Sequence, residues 1–436
     1  MKKVLRIIAL IPILIGIILG IIIAVNNGKM PENERKILKN VFGIIQKQEA
    51  KISDLYIYGN SLNLSGNITN ISKDNFEGAK IILTNGYEEK LYNLDTSIKD
   101  KTLYFKTSGI NNSIMLNKLE DENYYLLLRL KLNNSAKYRY YTLDYSLEEK
   151  IEYYTIAKNG INYKLNVNSS KKDYKKQTYN YISINMVEDK LPEEVYDIVI
   201  DAGHGGTDFG EKFGMYKEAD ITLDYAISLE KYLSENGLKV KLTRDLNNTE
   251  DYTSTNMYDL DGRINIACES KAKYMISLHV NNDSKGTKGF EIYAPCKSDL
   301  SFAKQIADKI KENTTLEYSS NSDYKKQDGV YVKNFTKKLI EQYSINAEKK
   351  GYEPYNITTD TPYLYTIREV GGKATNAYVD GRNKSYSANE YYNSNIGIEC
   401  YQIELGYIKT DLEKILNEKE NYITAIGDAI ITQINN

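Results

Sequence analysis

The apolar positions along this chain change their period three times. Behind the basic start "MKKVLR", the run Ile7–Val25 carries 19 residues without a charge. At 1.5 Å per residue a helix of that length reaches about 28 Å, close to the hydrocarbon thickness of a bilayer. Next, "ERKILKNVFGIIQKQ" sets Ile37, Leu38, Val41, Ile44 and Ile45 on one helical face. From about Lys51 to Val187 the apolar residues alternate in short β-branched or aromatic segments such as "AKIILTN", "TLYFKTS" and "YYLLLRLKL", separated by Asn, Gly, Ser and Asp. That alternation predicts an antiparallel β-sandwich-like domain. Beyond the charged, Pro192-containing "VEDKLPEE", buried strands alternate with amphipathic helices. "YDIVIDAG", "LKVKLTRD", "YMISLHV", "GFEIYAP", "YLYTIRE" and "CYQIELGYI" read as strands. "ITLDYAISLEKYLSENG", "GRINIACESKA", "SFAKQIADKIKENT" and a single closing helix from Leu412 read as helices. The fold class expected there is α/β, a mixed or parallel sheet with helices on both faces.

These periods divide the chain into a basic segment (1–6), a transmembrane anchor (7–25), a juxtamembrane helix and linker (26–50), the β-domain (51–187), a linker (188–194) and the α/β domain (195–436). Lys2, Lys3 and Arg6 place the start of the chain on the cytoplasmic side and everything after the anchor outside. Cleavage near Ala24, giving a secreted protein, is the other reading, although "IIIAVNN" fits a cleavage site poorly. Packing of the short helix on the next domain is the plain reading of its apolar face.

Composition narrows the partners. A formal net charge of −2 leaves no basic footprint for nucleic acid. The three cysteines, Cys268, Cys296 and Cys400, form no CxxC pair and suggest neither a disulfide scaffold nor a structural zinc site. Histidine is the informative residue, because the chain has only two. His204 follows the strand "DIVIDAG" and His279 ends the strand "YMISLH". Open α/β sheets bind ligands beyond the carboxyl ends of their strands.

Glu218 opens the helix that follows the first strand, and Glu404 lies toward the end of the last strand. Two histidines and one carboxylate form a catalytic zinc ligand set that leaves a fourth position for water. We therefore expect Zn²⁺ on His204, Glu218 and His279, with Glu404 as a general base outside the ligand set. Glycines flanking His204 let the backbone bend toward the metal. Each residue alone has a plainer reading: a polar loop residue, a helix N-terminal charge, a salt-bridge partner. A nucleotide loop is excluded, since Asp208 stands where G-x-G-x-x-G needs its third glycine.

The stretch from about Asp197 to Asn435 resembles the zinc-dependent N-acetylmuramoyl-L-alanine amidases of bacterial cell walls. "VIDAGHGGTDFG" matches the family's opening strand and first metal histidine, here His204. "KEADITLDYA" matches its glutamate ligand, Glu218. "GRINIACESKAKYMISLHVN" is similar to its Arg-containing helix and second histidine, here Arg263 and His279. "LYTIRE" and "IELGYI" resemble its late strand ending in Arg, here Arg368, and its Glu-x-Gly-aromatic signature with the catalytic Glu at Glu404. The resemblance implies hydrolysis of the amide between N-acetylmuramic acid and L-alanine in peptidoglycan. It also implies that Arg368 either orients substrate or is a structural ion pair, and that Asn281 either contacts substrate or holds its loop. Asp208 reads as a turn residue.

Tyr407 replaces the family's usual Phe, and Lys409-Thr410 its Ser/Thr-Asn pair. Two segments are expanded, one around Tyr324–Pro362 and one from about Val370 to Cys400. Long insertions near a site rim commonly serve as lids or substrate walls, which predicts that deleting Lys373–Asn395 changes cleavage. The β-domain offers a surface for a protein regulator. Two other functions stay open: a catalytically silent wall-binding scaffold, and a zinc hydrolase of another peptidoglycan amide.

Overall fold

The structure is a computed structural model that describes residues 32–107, 112–120, 122–133, 135–147, 150–156, 161–247, 262–321, 328–351, 357–377 and 396–435. The expected anchor Ile7–Val25 and most of the insertion before Glu404 lie outside the described residues. Among the described residues no helix is long and apolar enough to cross a membrane, and all three cysteines are free.

The helix Glu32–Phe42 ends at Gly43 and lays Val41 and Phe42 against Ile82, Leu127 and Tyr179 of the β-domain. The strands from Ala50–Tyr58 to Gln177–Glu188 form one 12-stranded sheet. Strand alternation points Leu55, Ile57, Leu62, Leu64, Leu126, Leu128, Leu165 and Ile184 inward, where they share one core.

The α/β domain is a second sheet of six strands: β1 (Ile198–Ala202), β2 (Val240–Leu242), β3 (Tyr274–Asn281), β4 (Glu291–Tyr293), β5 (Val330–Tyr331) and β6 (Glu399–Tyr407). Their order is β2-β1-β3-β6-β4-β5. The first four are parallel, and β4 runs antiparallel to β6. Period-2 alternation assigns the faces. Ile198, Ile200, Ile276, Leu278, Ile403 and Leu405 pack under α1 (Glu218–Glu235), α3 (Ser301–Asn313) and α7 (Lys419–Asn435). Val199, Met275 and Cys400 pack under α2 (Arg263–Glu269) and α5 (Tyr365–Val370).

Two expectations are corrected. "YLYTIRE" holds helix α5, not a strand: Ile367 and Val370, one turn apart, both bury against the α2 face. The closing helix is two helices, α6 (Leu412–Asn417) and α7, separated at Glu418. The first expanded segment contributes edge strand β5 and α4 (Lys337–Lys349). The second starts against the β-domain, where Lys373 Nζ lies 2.9 Å from Asp54 Oδ1.

The two domains share backbone as well as side chains. Gly59 donates to the Gly397 carbonyl at 2.8 Å and Gly397 to the Ile57 carbonyl at 2.9 Å. Ile396 is buried in the β-domain core. Strand β6 therefore starts from the β-domain and carries Glu404 toward its far end.

Candidate metal centre

The parallel register of β3 and β6 sets His279 directly beside Glu404. On β1 and β3, Asp201 pairs with Ser277, so Asp201, His279 and Glu404 share the α2/α5 face at the carboxyl ends of three parallel strands. His204 lies two residues beyond β1, in the left-handed region at φ +61, followed by Gly205 and Gly206 at φ +132 and +57. A non-glycine residue rarely adopts that conformation, and surrounding bonds must hold it. Arg263 supplies one of them: its Nη1 donates to Asp201 Oδ1 at 2.7 Å and its Nη2 to the His204 carbonyl at 2.8 Å. Buried Arg244 supplies the next, donating to the carbonyls of Ala202, Gly203 and Ala219 and so tying the end of β1 to the first turn of α1.

Glu218, 2% exposed at the start of α1, is the centre of the cluster. Its Oε1 lies 3.1 Å from His204 Nε2 and 3.0 Å from His279 Nδ1, and accepts from the Val280 amide at 2.9 Å. Its Oε2 accepts from the Glu211 amide at 2.9 Å. Burial opposes the charge on Glu218, but the two imidazoles hold its carboxyl well below the usual range. Burial likewise opposes protonation of His204, yet the Glu218 and Asp208 carboxylates raise the imidazole to about 9. Close approach requires two glycines. A Cβ on Gly203 would lie 2.6 Å from His279 Cε1, and one on Gly210 would lie 2.5 Å from Glu218 Oε2.

The donor set fits a zinc ion. The ligand-type atoms of His204, Glu218 and His279 lie within 4.8 Å of one another. Two ligands about 2.0–2.1 Å from one tetrahedral zinc sit roughly 3.3 Å apart, and the two His–Glu separations here are 3.1 and 3.0 Å. Asp208 completes the arrangement. Its Oδ2 lies 2.9 Å from His204 Nδ1, which leaves Nε2 facing the cluster. A carboxylate on the far nitrogen of a metal histidine is the usual orienting partner. Asp208 also closes the turn, exchanging backbone hydrogen bonds with Gly205 and accepting from the Gly210 amide. Asp208 therefore both closes the turn and faces the His204 ring.

Glu404, 8% exposed, accepts from Gln402 Nε2 at 2.8 Å. Burial pushes its carboxyl up to about 7; nearby His279 opposes this and the Glu218 and Glu291 carboxylates add to it. Glu291, its antiparallel register partner, is fully buried. Asn281 and Tyr293 donate to Glu291 Oε2 at 3.1 and 2.6 Å, and Ser319 and Tyr407 to Oε1 at 2.6 and 2.7 Å. Half-buried Asn281 thereby ties the end of β3 to Glu291, and Tyr407 has a hydroxyl partner that Phe would lack. Arg368 is engaged elsewhere. It pairs with Glu369 at 2.8 Å, donates to the carbonyls of Pro362 and Tyr363, and lies over the Phe335 and Tyr365 rings. Sequence reasoning missed Asp201, Arg244 and Glu291 as parts of the site. The charged Asp201 inside the apolar "VIDAG" was the one visible signal.

A mixed α/β sheet with a His–Glu–His cluster and a second carboxylate at its strand ends defines the class of this domain. The chain belongs to the Amidase_3 family, N-acetylmuramoyl-L-alanine amidase, whose model matches residues 198–436. A germination-specific N-acetylmuramoyl-L-alanine amidase of Bacillus subtilis (strain 168) is 32% identical over 158 residues, 34% of this chain and 65% of that protein. An endolysin of Bacillus phage SPP1 is 38% identical over 103 residues, 23% of this chain and 35% of the endolysin. The chain thus spans less than two thirds of the length of either relative. Among solved structures, the amidase AmiC2 of Nostoc punctiforme matches at 19% identity, covering 56% of this chain and 100% of that one, with a TM-score of 0.35.

Proposed function

We propose that this chain hydrolyses the amide between N-acetylmuramic acid and L-alanine in peptidoglycan, with zinc held by His204, Glu218 and His279 and Glu404 as general base. The observation that carries the reading is the convergence of the chain's only two histidines on one buried carboxylate, with a second carboxylate in register beside His279. A zinc ion held there supplies Lewis-acid polarisation of a carbonyl and lowers the pKa of water to about 7. Glu404 takes the proton from the attacking water and returns it to the departing amine of L-alanine. Asp208 keeps His204 in the tautomer that presents Nε2, and the Gln402 amide holds Glu404 by one oxygen.

The family match supports the choice of amide bond. The apolar run Ile7–Val25, preceded by Lys2, Lys3 and Arg6, supports a membrane anchor with the enzyme on the outer side, where peptidoglycan lies. An anchored chain stays with membranes through an alkaline carbonate wash; release into the wash refutes the anchor.

The decisive experiment pairs the zinc content of the protein with mass spectrometry of a muropeptide digest, beside Glu404→Ala. The expected result is one zinc per chain and stem peptides released with a free L-alanine amino group. The variant should keep zinc and lose release. Absence of zinc would overturn the metal assignment, and cleavage at another bond would overturn the substrate assignment.

A further inference from the structure

Between the two metal-site residues His204 and Glu218 the chain does more than turn. Lys212–Phe213 and Tyr216–Lys217 pair as a short antiparallel ribbon. Gly214, at φ +60, supplies the positive φ that the first central residue of a tight hairpin turn requires. A Cβ added at Gly214 would meet nothing within 4 Å, so the tip stands clear of the body. Phe209, Phe213, Met215 and Tyr216 are all exposed, and Met215 reaches 84%. A cluster of large apolar side chains on one exposed element marks a binding surface. Lys212 and Lys217 lie over the Phe209 ring at 4.1 and 4.5 Å, which gathers two ammonium groups on the same element.

The ribbon is rooted in the metal site itself. Glu218 donates its amide to the Glu211 carbonyl at 2.8 Å, and the Glu211 amide returns to Glu218 Oε2 at 2.9 Å. Asn282, just past β3, donates to Glu211 Oε2 at 2.6 Å and clamps the ribbon to the loop after His279. What binds the ribbon is therefore held beside the cluster.

We propose that the ribbon 212–217 is a substrate-gripping pad that binds polymeric peptidoglycan next to the reacting amide. Phe213, Tyr216 and Met215 cover the apolar faces of the sugars, and Lys212 and Lys217 meet carboxylates of the attached peptides. This inference rests on the amidase reading above. Continuity with the metal site and the pairing of apolar surface with positive charge select a carboxylate-bearing glycan over a neutral polymer.

The test is cosedimentation of the full chain, carrying Glu404→Ala, with purified peptidoglycan sacculi. It compares that protein with one that also carries Phe213→Ser and Tyr216→Ser, and one with Lys212→Gln and Lys217→Gln. Loss of two aromatic contacts should weaken binding about tenfold. The lysine pair should remove most of the salt dependence of binding. Zinc content and melting temperature should not change, because Lys212, Phe213 and Tyr216 are exposed and the half-buried Lys217 makes no side-chain cap hydrogen bond to α1. Unchanged binding in the aromatic variant overturns the pad. So does ribbon-dependent binding to anionic lipid vesicles without ribbon-dependent binding to sacculi. Release of stem peptides by the chain with Glu404 intact is scored separately. Ribbon-dependent binding without release upholds the pad and sinks the amidase reading, whereas release with ribbon-independent binding does the reverse.

Discussion

His204 is held from four sides: by its left-handed backbone, by Arg263 on its carbonyl, by Asp208 on Nδ1 and by Glu218 opposite Nε2. Its imidazole, raised to about 9, is protonated at pH 7 in the metal-free chain. An imidazole must be neutral to ligate a metal, so zinc uptake at pH 7 should expel about one proton, and affinity should climb with pH until about 9. Calorimetry in two buffers of different ionisation heat measures that proton; equal heats in both would refute the prediction. Asp208 belongs to the same account. Replacing it with Ala removes the acceptor on Nδ1 and should weaken zinc binding roughly 10–100-fold, as losses of such orienting partners do. A variant that binds zinc as tightly as the parent would reduce Asp208 to the turn residue that its sequence context suggests.

At the level of elements, the site depends on how closely the end of β1 approaches β3. Gly203 donates its amide to the Leu278 carbonyl at 2.9 Å, and a Cβ there would lie 2.5 Å from that oxygen and 2.6 Å from His279 Cε1. Neither the backbone nor the His279 ring, packed against Glu218, can yield cheaply. Gly203→Ala should cost about 1–3 kcal/mol of stability and lower zinc occupancy, whereas Gly214→Ala at the open ribbon tip should leave occupancy unchanged. Denaturation curves and metal analysis on the two variants decide it. Most of this geometry was legible in the sequence, because apolar runs ending in His or Glu read as strands with their carboxyl ends at the site. Helix α5 was not legible: Thr366, Ile367 and Val370 are β-branched, and packing on α2 overrides that local preference. The brace around His204 was hidden for another reason. Arg263 reaches Asp201 across 62 positions, and Tyr407 reaches Glu291 across 116, distances over which local period carries no information.

The whole molecule joins its two domains through β6, and the junction is titratable. Glu399, the first residue of β6, presses its carboxyl group against Gly59 of the β-domain, where a Cβ would lie 2.5 Å from Oε1. Tyr401 donates to Oε2 at 2.9 Å. Tyr153, Asn60, Tyr274 and Gln433 form a hydrogen-bonded chain across the same junction. Burial pushes the Glu399 carboxyl from its ordinary 4.5 up to about 8; the Tyr401 hydroxyl opposes this and Asp299 adds to it. A carboxyl whose folded pKa exceeds its unfolded one stabilises the fold fully only below the unfolded value. Between about 4.5 and 8 the folded chain binds a proton that the unfolded chain has released, so the Glu399 contribution falls as pH rises through that window. Lys273, lowered to about 8 by burial, destabilises the fold below that pH by a constant amount, so it adds no slope between 4.5 and 8. His204 contributes a falling slope of its own in the metal-free chain, so the comparison is made by difference. Glu399→Gln keeps an acceptor for Tyr401 and removes the titration. Relative to the parent, the variant should gain on the order of 4 kcal/mol between pH 5 and pH 8, read from urea denaturation at the two pH values. Parallel profiles for the two proteins would mean that Glu399 keeps an ordinary pKa and that the junction is wetter than its packing implies. A gain confined to the variant at pH 8 would mean that the β-domain and the strand carrying Glu404 are held together by a buried, protonated carboxyl.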